Sequence, residues 1–165
     1  MRHPSFLVPT GTPGSLRIMG CPPGLHLRPC LEALVDDGVT DVVSMLPREE
    51  AAELGVDGEA EVCAALGLRF RNHPIPDFSL PDLTAFAALV EDMVARLAEG
   101  GQIAVHCRAG IGRSGMVAAA TLVRLGAEPG AALAEVSAAR GVPVPDTEEQ
   151  AAFVTAFARA VASNS

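Results

Sequence analysis

Cys107 and Arg113 are separated by five residues in Val105-His106-Cys107-Arg108-Ala109-Gly110-Ile111-Gly112-Arg113-Ser114-Gly115, a loop whose flanks read as a strand and a helix. A loop entering a helix N-terminus turns several unpaired backbone N–H groups into one small space, where the helix dipole also favours negative charge. The backbone from Arg108 through Ala109, Gly110, Ile111 and Gly112 is therefore a candidate phosphate cradle. Gly110 and Gly112 would supply the positive φ angles that a tight anion-binding loop needs. Arg113 adds a planar fork matched to two phosphate oxygens. A free cysteine is only ~3% thiolate at neutral pH. The N–H groups, the helix end and Arg113 all favour the anionic sulfur, so Cys107 is expected to be charged before substrate arrives.

The elements that must position this loop follow from periodicity. Residues 102–106 read as a strand and residues 113–125 as an apolar helix. Upstream, residues 16–19 alternate as a short strand and stop at Gly20-Cys21-Pro22-Pro23-Gly24. A helix is expected over 28–37, a buried strand over 39–46, helical stretches from 47 and over 57–66, and a strand over 68–73. Pro74-Ile75-Pro76-Asp77-Phe78-Ser79-Leu80-Pro81 carries three prolines and must be a shaped loop. Ser79, three residues before Asp82 and with Pro81 in the first turn, marks the start of an amphipathic helix running to about Glu99. Helices over 129–140 and 147–162 close the chain. Strands alternating with helices predict an α/β fold with a central, mostly parallel sheet flanked by helices. Residues 1–15, rich in Pro, Gly, Ser and Thr, read as an irregular N-terminal arm, leaving 16–165 as the one functional domain.

Three other chemistries draw on the same residues. Gly110-Ile111-Gly112-Arg113-Ser114-Gly115 fits a dinucleotide fingerprint, but no strand ending in an acidic residue follows at the required distance. A Walker A loop would need a lysine before Ser114, where Arg113 stands. Sulfur transfer also uses an activated loop cysteine, and would have no use for Asp77.

The Cys, five residues, Arg, Ser pattern with a preceding His resembles the signature loop of the protein tyrosine phosphatase superfamily, the dual-specificity and kinase-associated phosphatases in particular. The resemblance implies a phosphomonoesterase acting through a phosphocysteine, with Cys107 as nucleophile and no metal or other cofactor. It implies an acid from an upstream mobile loop, matched by Asp77 with Asp82 as the alternative. It also implies that Ser114 donates to the departing thiolate, that His106 holds the loop, and that Gln150, in Glu148-Glu149-Gln150-Ala151-Ala152-Phe153-Val154, places the hydrolytic water. Low-molecular-weight phosphatases resemble the loop but carry the nucleophile near the N-terminus with the acid downstream. Here the acid lies upstream.

Composition limits the partners. Twenty acidic against twelve basic side chains give a net charge of −8, which argues against nucleic acid or an anionic membrane surface as a general partner. No run approaches the length of a membrane span, and the four His and four Cys never cluster at metal-ligand spacing. Four dispersed cysteines in a chain of 165 residues fit a reduced, cytoplasmic setting better than a disulfide scaffold. Cys21, Cys30 and Cys63 are expected to be packing residues. A phosphorylated protein or peptide is the expected substrate, a phosphoinositide the second choice, and a phospho-ligand binding module without turnover the reading from a different class.

Overall fold

The computed structural model describes residues 2–164. Two strands, β3 (Asp41–Ser44) and β5 (Gln102–His106), form the middle of the sheet because both their faces are apolar. Val42 and Ala104 belong to one core cluster, whereas Val43, Ile103 and Val105 belong to the other. Such strands read as unbroken hydrophobic runs, the signature of a parallel sheet covered on both sides. β2 (Ser15–Met19) flanks β5 and β4 (Arg69–Asn72) flanks β3, all parallel.

Helices cover the two faces separately. α1 (Leu27–Asp36), α2 (Arg48–Glu53) and α3 (Glu59–Ala65) pack over Leu31, Val42, Leu46 and Cys63. The other face carries α4 (Leu83–Ala98), α5 (Arg113–Arg124), α6 (Pro129–Arg140) and α7 (Glu148–Ser163). α5 is buried along all but its last residue, and its run of Ala118, Ala119 and Ala120 lets neighbouring helices approach closely. A helix apolar all round belongs inside a domain, as the sequence predicted here.

The arm reading fails at the N-terminus. Ser5–Val8 form β1, antiparallel to β2, which completes the order β1-β2-β5-β3-β4. Four residues among Pro, Ser and Thr give too short a period to read, and their edge position comes from pairing with β2. α4 also starts later than expected. Its cap is Asp82, whose Oδ2 accepts the Ala85 N–H at 2.9 Å, while Ser79 lies in a preceding turn with its N–H on the Pro76 carbonyl. The cap is thus a carboxylate that the sequence reading held as an alternative acid.

Because β3, β4 and β5 run parallel, their carboxyl ends share one edge of the sheet, where open α/β sheets place their ligands. β3 leads into α2, β4 into the proline-rich loop bearing Asp77, and β5 into Cys107.

Candidate active site

Cys107 directly follows β5 with 2% of its surface exposed, and α5 begins six residues later at Arg113. The loop between is tied from outside. The Arg108 carbonyl accepts the Cys21 N–H at 3.0 Å, and Arg140 donates from Nε to the Gly110 carbonyl at 3.1 Å and from Nη2 to that of Ala109 at 3.2 Å. A trans peptide points its C=O and N–H in opposite directions. With three successive carbonyls held outward, the N–H groups of Ala109, Gly110 and Ile111 turn toward the inside of the loop. Arg140 itself lies 4.5 Å over the Phe6 ring, so the unexpected strand β1 buttresses the cradle.

The two loop glycines serve different needs. Gly110 has φ +73, and a Cβ there would sit 2.5 Å from the Met19 carbonyl carbon. Gly112 has φ −74, contrary to expectation, and is required for space instead: a Cβ would meet Asp146 Oδ2 at 2.3 Å and Gln150 Nε2 at 3.1 Å.

Arg113 is 1% exposed and heavily committed. Its Nη1 donates to Glu50 Oε1 at 2.8 Å and to the Ile75 carbonyl at 2.9 Å, and its Nη2 donates to Glu50 Oε2 at 2.8 Å. A guanidinium has five N–H bonds. Two remain, Nε–H and the second hydrogen of Nη2, and they lie along one edge as a two-pronged donor. Asp77 Oδ1 stands 3.2 Å from that Nη2 and also accepts the Phe78 N–H at 3.1 Å. Burial alone would push the Arg113 pKa down, but Glu50, Cys107 and Asp77 outweigh it and the net shift is upward. Conversely, the Arg113 guanidinium holds the Glu50 carboxyl below its ordinary range, aided by Arg108.

His106 is 1% exposed and fixed at both ring nitrogens, through Nδ1 to the Cys107 carbonyl at 3.2 Å and through Nε2 to both oxygens of Glu59 at 2.9 and 2.8 Å. Glu59 is itself 2% exposed, so a buried acidic side chain orients the imidazole that braces the Cys107 peptide. Ser114 Oγ, on the first turn of α5, is buried without a hydrogen-bond partner among the described residues. So is Gln150 Nε2, whose Oε1 is occupied in capping α7 through the Asp146 and Thr147 N–H groups at 2.9 and 3.1 Å. Two unspent polar groups thus adjoin the loop. Cys21, beside it, is pushed up to about 12 by burial, then by Glu59 and Cys107, and stays a neutral thiol.

Arg108 is exposed and already paired, with Glu50 at 3.1 Å and Glu53 at 3.6 Å. Sequence reasoning missed Glu50, Glu59 and Arg140. Glu50 carried the one available signal, an acid just after a buried strand, but it read there as an ordinary first-turn helix residue.

A family model described as polymorphic toxin system, DSP-PTPase phosphatase matches residues 19–127. The chain belongs to this phosphatase family. Cyclin-dependent kinase inhibitor 3 of Rattus norvegicus is 31% identical over 94 residues, covering 57% of this chain and 44% of the relative. Protein tyrosine phosphatase domain-containing protein 1 of Mus musculus is 32% identical over 101 residues, 56% of this chain and 13% of the relative. The chain therefore spans less than half the length of these curated relatives. Among solved structures, kinase associated phosphatase with its catalytic cysteine replaced by serine superposes with a TM-score of 0.88 at 20% identity, covering 99% of this chain and 98% of that one. PTPMT1 in complex with PI(5)P superposes at 0.77 with 19% identity, over 90% and 93% of the two chains. The fold is that of the dual-specificity phosphatases.

Proposed function

We propose that this chain hydrolyses phosphomonoesters on a phosphorylated protein or peptide, through a covalent phosphocysteine at Cys107. The observation that carries the reading is how Arg113 is held: Glu50 and Ile75 use three of its five donors, and the remaining two form a side-on fork with, among the described residues, only Asp77 Oδ1, at 3.2 Å from Nη2, close to it. Phosphate oxygens fit that fork and the inward N–H groups of the loop, with the phosphorus presented to Sγ.

In the first step the Cys107 thiolate attacks phosphorus, the P–O bond to the substrate breaks, and protonated Asp77 delivers its proton to the leaving oxygen. In the second, water positioned by the Gln150 amide attacks the phosphocysteine and gives a proton to the Asp77 carboxylate. The P–S bond breaks, the Ser114 hydroxyl donates to the returning thiolate, and inorganic phosphate leaves. Asp77 is favoured over Asp82 because its carboxylate already reaches Arg113, whereas Asp82 is spent on the α4 cap. Neither step calls for a metal. Four free cysteines support a reducing, cytoplasmic location, and no helix among the described residues is long and apolar enough to cross a membrane. Phosphoinositides are the second substrate class.

Hydrolysis of p-nitrophenyl phosphate, with EDTA and a reductant present, tests the reading. Turnover by the native chain that Cys107→Ser lacks is expected. Equal turnover by the two, or none from folded native protein between pH 5 and about 7.5, near which general acid–base pairs operate, sinks it.

A further inference from the structure

The mouth of the phosphate loop is acidic, which is unusual for a site that must accept a dianion. The cleft between the start of α2 and the Asp77 loop, next to Arg108 of the phosphate loop, is lined by Glu49, Glu50, Glu53 and Asp77, with Arg108 as its one basic lining residue. Asp146 adds a carboxylate against Gly112 of the loop. Two of the nearby cations are already matched by carboxylates: Arg113 by Glu50 and Asp77, and Arg108 by Glu50 and Glu53. Arg140 is the third, held on the loop carbonyls of Gly110 and Ala109, and five carboxylates against three guanidinium groups still leave the rim net negative. Glu53 has a side chain 73% exposed even with Arg108 3.6 Å away, and Glu49 is exposed as well, so both face the solvent that the flanks of a substrate would occupy.

We infer that the substrate presents its phosphate on a peptide segment carrying lysine or arginine beside the phosphorylated residue. This rests on the cysteine-phosphatase reading and narrows it. The single phosphate is caught locally by the loop and Arg113, while the rim selects a positive surrounding and repels a negative one. Complementary charge at a rim sets partner choice and encounter rate more than it sets contact energy. Next to Asp77, Phe78 is 64% exposed and held at φ +59, and Leu80 in the same loop is 48% exposed. These apolar side chains would also suit a lipid surface, but a carboxylate-rimmed mouth meets an anionic leaflet with repulsion. Multiply phosphorylated headgroups fare worse for the same reason.

Three phosphotyrosine peptides of one core sequence, flanked by arginine, alanine or glutamate, and a matching phosphothreonine series test the inference alongside p-nitrophenyl phosphate. The arginine-flanked member of the better series is expected to exceed the glutamate-flanked member by ~10-fold in kcat/KM at low salt. The ratio should shrink toward unity as sodium chloride rises to about 0.5 M. The double variant Glu49→Gln, Glu53→Gln should lower the ratio at least threefold, by roughly one exposed ion pair each. A flat or reversed series, a ratio indifferent to salt and to the double variant, or faster turnover of phosphatidylinositol 5-phosphate vesicles than of the arginine peptide overturns the inference. If p-nitrophenyl phosphate itself is not hydrolysed, the catalytic reading has failed rather than this one.

Discussion

Arg113 is the residue on which the site's geometry turns, and Glu50 is what fixes it. A buried guanidinium without a partner is expensive, and removing one member of a buried pair costs more than the pair contributes. Glu50→Gln keeps the shape and one acceptor but removes the charge, so roughly 2 kcal/mol of stability should be lost. In a chain of this size that lowers Tm by about 5 °C. The freed guanidinium should also miss the phosphate position proposed for it, with kcat/KM falling ~10-fold or more; an unchanged melting curve and unchanged kinetics would show that Arg113 does not depend on Glu50. Cys107 and Arg113 were legible in the sequence because their relation is local, five residues inside one loop. Glu50 and Glu59 were not, because they meet Arg113 and His106 from 63 and 47 residues away, a pairing that only the parallel crossovers create. Asp77 was legible by resemblance and its loop by its prolines, whereas its contact with Arg113 was not.

At the level of elements, the loop's shape depends on what packs behind it. Gly110→Ala would place a methyl 2.5 Å from the Met19 backbone and force φ +73 on an L-residue. The conformational term alone costs about 1–2 kcal/mol, and the clash with backbone cannot relax through a side chain. The expected outcome is a variant that folds, with a lowered Tm and kcat reduced more than ~10-fold; native kcat would mean that the cradle tolerates displacement. The central strands and the long helices were readable because their burial is periodic and continuous. β1 was missed because a four-residue edge strand takes its conformation from β2 and its function from the Phe6 contact with Arg140, neither of which has a local signature. The start of α4 was misplaced for a related reason: Ser79 and Asp82 both fit the cap pattern, and only the turn closed by Pro76 and Ser79 decides between them.

Taken as a whole molecule, the protein carries a net charge of −8, and several of its arginines, Arg69, Arg71, Arg96, Arg108 and Arg113 among them, are paired with carboxylates. Asp41 lies in the sheet at 3% exposure, where burial pushes its pKa up, but Arg96, Thr40 and Arg69 outweigh this and bring it below 3.8. Arg69 and Arg71 likewise depress Asp92, and Arg113 depresses Glu50 from 4.5. A carboxyl whose folded pKa is lowered contributes stability that is complete above its unfolded pKa and is lost as pH falls through the folded value. Burial lowers His73 from 6.5, which adds a smaller loss that begins as pH drops below that point. Thermal melts should therefore show a shallow fall in Tm below about pH 6.5 and a steep one below about pH 4.5; a Tm that rises on acidification over that range would contradict these assignments. The central claim, a covalent bond from Cys107 to phosphorus, is tested most directly by trapping it. Asp77→Asn should still be phosphorylated by p-nitrophenyl phosphate, whose leaving group needs little protonation, but should release phosphate slowly for want of a base. A rapid denaturing quench followed by peptide mass analysis should find one phosphoryl group on the peptide containing Cys107, and none in a variant that also carries Cys107→Ser. Turnover by the native chain with that peptide unmodified in the trap, or the phosphoryl group on a different residue, would contradict the account.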